Sequence, residues 1–387
     1  MKSHLSFEPT IYFLLDVLNI NKGPLNTFIN ENLLIISRLA KYLGIYHYLI
    51  AWLISEPDII LQKKYRRQFT QELLKNKTRN ILLKMQIIKL AKEFNKVQIP
   101  HIFLKGSAGL IRNLYDIECR YLSDIDILVP ENQIDRTIKL LISLGYNPEN
   151  NIVPSTHHHL EPYYHSNYPS EIEIHREPYG LSMLDRPAMP QLWHDADKIL
   201  IEGECLLVPS ITDHIWIIIR SEAINGALIP KLKETIEISQ IIFNNYSFDI
   251  KLLVERAKQE NIPNIIVAYS FACEKYFGIE HFVPVEENMI KNWYVWSLKQ
   301  QRTILRNNLY KASRSRFGAL TFLLSGGITQ KIKYIKWLSR YEALENTEIH
   351  KIPFVFCKMW RISKDIALYF IFYIDYLWFQ VTTGSIK

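Results

Sequence analysis

Long uninterrupted apolar runs are missing from this 387-residue sequence. The most membrane-like stretch, Ile366 to Gln380, carries Asp375 and falls short of the roughly 20 residues a spanning helix needs, so it reads as a buried helix. The N-terminal apolar run Ile11 to Leu15 follows Glu8, meets Asp16 and has no small-residue cleavage site after it, which argues against a signal peptide. Cysteine is scarce: Cys119, Cys205, Cys273 and Cys357 are dozens of residues apart, excluding a CxxC metal pair and a dense disulfide framework. A reducing cytoplasm is the simplest setting, with no membrane partner. Only 13 Gly and 17 Pro rule out collagen-like and linker-dominated chains. No repeat of fixed period is visible, and Gly326-Gly327 is followed by ITQK, not by the GK[ST] of a phosphate loop.

What remains is a folded chain: 48% hydrophobic and 22% charged residues can build a sizeable core, and the length suits two or three layered units. A net charge of +7 suits an anionic ligand such as a nucleotide without implying a DNA-coating surface. Apolar residues recur at helical spacing from Glu8 to Lys96, change at Val97 to short β-branched runs bounded by turn residues, and return to helical spacing after Pro209. The expected fold is α+β, a small mixed-sheet core at 98–208 between helical regions at 1–97 and 209–387. The runs VQIPHIFLKG, DIDILVP and EPYYHSNYPSEIEIHRE form the only sheet this pattern predicts. Helices are expected at Ser107–Tyr115, at Asn132–Leu144 closed by Gly145, from Asp213-His214, at Leu228–Asn245 and at Ile250–Glu260. The tryptophans Trp293, Trp296, Trp337, Trp360 and Trp378 read as helical core, not as a base-stacking surface.

Chemistry concentrates between Lys105 and His175. In Ser123-Asp124-Ile125-Asp126-Ile127 the strand period of two puts Asp124 and Asp126 on one face, about 6–7 Å apart. Such a pair repels itself and calls for a counter-charge, for which a hard divalent cation is suited. Surface aspartates at this spacing are the plain alternative. Upstream, Ile102 to Ser107 reads as a strand entering a Gly-Ser turn and a helix, an arrangement whose backbone N–H groups can face an anion at Gly106. A simple connection remains the alternative there. Arg120 either pairs a phosphate or neutralises an aspartate. In Glu171-Ile172-Glu173-Ile174-His175 alternation sets Glu171, Glu173 and His175 against the isoleucines, so one glutamate completes a carboxylate trio if this strand lies beside the DxD strand. Three consecutive histidines, His157 to His159, cannot all face one metal, since His158 points away from the other two; packing near the site is the favoured reading, with His159 able to touch a ligand.

The ordered set LKGSAGLIRNLY, RYLSDIDILVP, LLISLGY and EIEIHRE resembles the nucleotidyltransferase superfamily with the DNA polymerase β-like catalytic fold, and within it is most similar to the uncharacterised NTP_transf_5 family, over about residues 101–177. The resemblance implies Gly106 and Ser107 for the triphosphate; Lys105 and Arg120, the basic residues that flank this turn and the DxD, are the further candidate nucleotide contacts. The resemblance also implies Asp124, Asp126 and Glu173 as catalytic carboxylates holding Mg²⁺ or Mn²⁺. Glu173 is preferred to Glu171 because it lies nearer the strand centre and matches the family's acidic position. Two departures stand out: Ser107 is farther from Asp124 than in minimal superfamily members, and Arg176 replaces the aromatic that often follows the family's histidine, so His175 receives no role.

The expected activity is metal-assisted transfer of an NMP group from an NTP, ATP first, to a hydroxyl acceptor that is a small molecule or a protein. A non-catalytic nucleotide-binding regulator on the same fold is the alternative, and nucleic-acid binding is a third, less favoured reading.

Overall fold

The computed structural model of the chain describes residues 25–149, 158–179, 191–224, 232–260 and 264–280, with Leu14, Met189, Phe282 and Val283. The expectations for the tryptophans from Trp293 onward, Gly326-Gly327, Cys357, the Ile366–Gln380 helix and His157 lie outside the described residues.

Helices α1 (Leu25–Tyr42), α2 (Tyr46–Ser55) and α3 (Lys63–Lys96) come first. The third has 34 residues, a length of about 50 Å, and its buried side Phe69, Asn76, Asn80, Leu83, Gln86, Ile87, Leu90, Ala91 and Phe94 recurs at helical spacing. A five-stranded sheet follows in the order β1-β2-β5-β4-β3, built from β1 (Ile102–Phe103), β2 (Asp124–Leu128), β3 (Asn147–Pro148), β4 (Tyr163–Tyr164) and β5 (Glu171–His175). The central pair, β2 and β5, is parallel; the other pairings are antiparallel. Ile125, Ile127, Ile172 and Ile174 are fully buried, so the alternation expected for both strands is present. Helix α4 (Lys105–Arg112) joins β1 to β2 and packs on β2. Helix α5 (Ile134–Ser143), entered through a 3₁₀ turn at Glu131–Gln133, ends at Gly145, whose φ of +91° is the left-handed conformation expected of a closing glycine.

The sheet count needs correction. Strands β6 (Asp197–Ile201) and β7 (Glu204–Val208) pair antiparallel as a second, two-stranded sheet whose β7 lies against β1 and α3. It escapes a periodicity test because β6 is largely exposed and alternates weakly. Its turn carried the usable signal: Glu202 and Gly203 take φ +51° and +84°, the positive pair of a tight two-residue hairpin, with Glu where Asn or Asp is usual.

Helices α6 (Ile211–Ile224), α7 (Leu232–Phe243), α8 (Ile250–Gln259) and α9 (Asn264–Phe277) complete the described chain, with α9 packed on the other three and α6 touching α4. Asp249 caps α8 by accepting the Leu252 N–H at 3.0 Å. Among the described residues no helix is long and apolar enough to cross a membrane.

Candidate active site

The register of β2 on β5 assembles the site. Asp124 pairs with Glu171 and Asp126 with Glu173, so four carboxylates share the face opposite the isoleucines, and Leu128 pairs with His175 at the strand ends. Ligand atoms of Asp126, Glu173 and His175 all lie within 4.8 Å of one another. His175 Nε2 is 2.7 Å from Asp126 Oδ1 and 3.6 Å from Glu173 Oε2. His159 forms an isolated bridge to His175 and brings its Nε2 to 3.8 Å from Glu173 Oε2. The structure thus joins Asp126 and Glu173 with a histidine that the resemblance left without a role. Asp124 stands one pair along, accepting from Ser123 Oγ at 3.1 Å.

Lys105 supplies the nearest fixed positive charge: its Nζ donates to Asp126 Oδ1 at 2.6 Å. The lysine takes a left-handed backbone, φ +46°, a conformation that strains a non-glycine residue and that tends to occur at functional sites. Burial alone would raise the Asp126 pKa, but the Lys105 ammonium and then His175 outweigh it and hold the carboxyl well below the usual carboxylate range. Burial is likewise outweighed at Glu173, where the His175 hydrogen bond lowers the pKa. Asp124 goes the other way, raised by burial and then by repulsion from Asp126 and Glu173. Glu171 is raised by burial and by Glu173 and Asp124. At His175, burial and the Lys105 charge oppose protonation, yet Asp126 and Glu173 raise its pKa. The inner carboxylates are neutralised; the outer ones are not.

Gly106 and Ser107 sit in the first turn of α4, both buried. A Cβ on Gly106 would come within 2.5 Å of Leu122 Cδ2, so any larger residue there requires the Leu122 side chain to shift. Ser107 is 0% exposed and its Oγ has no hydrogen-bond partner among the described residues. Arg120 has a partner that the sequence does not suggest. Expected to reach a phosphate or an aspartate, it is buried and ion-paired with Glu237 of α7, its guanidinium 5.1 Å from the Tyr115 ring centroid. Glu237 also lies 2.8 Å from His214 Nε2, and Tyr115 donates to the Gly106 carbonyl at 2.6 Å. An arginine four residues before a DxD gives no sign of a partner 117 positions away.

Sequence reasoning also missed the role of α3. Asn76 Nδ2 donates to the Glu118 and Arg120 carbonyls, and Asn80 Nδ2 to those of Ile117 and Arg120. Arg79 donates to the Leu122 and Ser123 carbonyls and, at 3.1 Å, to Ser170 Oγ; Gln86 donates to the Ser170 carbonyl. One helix therefore grips the residues just before Asp124 and just before Glu171. The signal was there: amides at positions 76, 80 and 86 fall on the face that helical spacing assigns to the core.

As a cation site the donor set fits: two carboxylates and a ring nitrogen converge, and the four-carboxylate face exceeds its fixed positive charge.

No curated protein sequence matches the chain significantly. Among solved structures it is similar to the crystal structure of an antigenic nucleotidyltransferase-like protein from Paracoccidioides brasiliensis, at 18% identity and a TM-score of 0.30, over 51% of this chain and 97% of that one. Residues 35–278 match the NTP_transf_5 family, described as uncharacterised nucleotidyltransferase. With that match spanning most of its length, the chain belongs to the NTP_transf_5 family of nucleotidyltransferases.

Proposed function

We propose that the protein transfers an NMP group from an NTP, ATP first, to a hydroxyl on a small molecule or a protein, in the cytoplasm. The observation that carries this reading is the in-register pairing of Asp126 with Glu173 on parallel strands. Asp126 and Glu173 are the residues to hold a divalent cation, with Asp124 beside them on the same face. A cation bound there stabilises charge on the phosphoryl and leaving oxygens.

The chain's own groups have separate tasks. Gly106 and Ser107 open a helix whose first N–H groups suit an anion, and the buried Ser107 hydroxyl gains the partner it lacks among the described residues when a phosphate oxygen approaches. Lys105 balances Asp126 and offers an ammonium to the triphosphate. Glu173, held ionised, accepts the acceptor's hydroxyl proton. Arg120 is assigned to the fold, not to the nucleotide.

The test uses purified full-length protein with α-labelled ATP and Mg²⁺ or Mn²⁺. Pyrophosphate release together with label on an acceptor or on the protein itself supports transfer. Saturable ATP binding without pyrophosphate moves the reading to a nucleotide-binding regulator.

A further inference from the structure

The expected ion for three carboxylates is a hard one, Mg²⁺ or Mn²⁺, but the donors that converge here are not three carboxylates. We propose that the cation site is completed by His175 Nε2 and is selective for first-row transition-metal cations, Zn²⁺ and Co²⁺ above Mn²⁺, over Mg²⁺. This rests on the nucleotidyl-transfer reading and specifies the ion that its site takes.

Three observations carry it. First, the ligand atoms within 4.8 Å of one another belong to Asp126, Glu173 and His175, while Asp124 is not among them. Second, the imidazoles are oriented as ligands are. His175 Nδ1 lies 3.1 Å from the Glu177 carbonyl and His159 Nδ1 lies 2.7 Å from the Leu160 carbonyl. A carbonyl can only accept, so each Nδ1 carries a hydrogen, the backbone anchoring usual behind a metal-bound histidine; the Asp126 carboxylate also only accepts, so His175 Nε2 donates to it and must give up that hydrogen to an ion. His175 is 0% exposed, so its ring cannot swing to solvent. Third, Lys105 has already claimed Asp126 Oδ1 at 2.6 Å. The remaining field at the site is weaker than that of three bare carboxylates. Mg²⁺ gives up water reluctantly and depends on anionic oxygen, whereas imidazole nitrogen suits later first-row ions, whose affinities rise from Mn²⁺ through Co²⁺ and exceed Mn²⁺ at Zn²⁺. On binding, the ion takes the place of any hydrogen on Nε2, and the imidazole coordinates as a neutral ligand.

Calorimetric titration of chelator-stripped full-length protein with Mg²⁺, Mn²⁺ and Zn²⁺ separately, with and without ATP, tests the selectivity. Pulsed EPR of the Mn²⁺ complex tests the nitrogen ligand directly and needs no variant, which matters because His175 is buried. Mn²⁺ and Zn²⁺ should bind at least about tenfold more tightly than Mg²⁺, with ¹⁴N coupling in the EPR spectrum. His175→Gln should remove the coupling and cost about tenfold or more in Mn²⁺ affinity. His165→Gln, whose ring packs on Tyr146 and Tyr168, should bind Mn²⁺ as the unaltered protein does. Equal Mg²⁺ and Mn²⁺ affinities without ¹⁴N coupling would overturn the histidine ligand and leave the carboxylate reading standing. No binding of any of the three ions, with or without ATP, would overturn both.

Discussion

Around helix α4 the protein buries charge in two different ways. On the β2–β5 face Asp124, Asp126, Glu171 and Glu173 outnumber the one lysine that reaches them, and the pKa directions split: inner carboxylates lowered, outer ones raised. Behind α4, Arg120 meets Glu237 one to one with His214 beside them, and the three side chains are at most 5% exposed. The matched pair is sealed from solvent, although Arg120 Nε and His214 Nδ1 have no hydrogen-bond partner among the described residues. The unmatched, partly open acidic face has the charge that suits a cation. Arg120 and Lys105 are both basic residues near the DxD, and only the tertiary partner tells their roles apart.

The sharpest way to break this contrast is in transfer activity. Glu173→Gln should lower NMP transfer by about 10²–10⁴-fold while Glu171→Gln changes little, read as label incorporation from ATP. The reverse ranking would move the functional acid to the outer pair. In stability the ranking inverts. Glu237→Ala leaves the Arg120 guanidinium buried without its carboxylate and should cost about 3–5 kcal/mol in urea unfolding, whereas the double change Arg120→Met/Glu237→Leu should recover most of that loss. If the double variant is as unstable as the single one, the pair is more than a balanced contact.

Arg79→Met tests whether the acidic face is held from α3. It removes the donor shared by the Leu122 and Ser123 carbonyls and Ser170 Oγ, and should cost about 1–3 kcal/mol of stability. An unchanged urea midpoint would mean that the strands hold their own register.

The smallest expected effects are in pH dependence, and their signs oppose. Glu237 is pulled down from 4.5 to about 2 against its burial by Arg120, so the folded state binds fewer protons there than the unfolded chain. Its stabilisation is therefore present above 4.5 and is lost as pH falls from there toward about 2. Asp124 is raised from 3.8, so the folded state binds more protons and stability is lost as pH rises from 3.8 through the raised value. Urea midpoints across this range should show the penalty of Glu237→Gln shrinking as pH falls, and any advantage of Asp124→Asn growing as pH rises. Parallel pH profiles for the two variants would erase the distinction between the clusters.

Much of this was legible in the residue order. Strand alternation put Asp124 with Asp126 and Glu171 with Glu173, because side chains alternate every residue whatever surrounds them. Helical spacing located α5 and α8 to within a few residues. The β6–β7 hairpin was missed because an exposed strand leaves a weak pattern, although its Glu-Gly turn marked it.

By itself, then, the sequence determined the local geometry: which acids share a face and where a glycine must turn the chain. Only the tertiary structure decided which pairs meet. The parallel register set Asp126 opposite Glu173, the end of β5 delivered His175 to that pair, and Lys105 closed on Asp126. Glu237, 117 positions downstream, claimed Arg120 for the interior. Local patterning follows from backbone sterics and repeats every two or 3.6 residues, so it can be read along the chain; a buried charge selects its partner through space, and sequence separation carries no record of that choice.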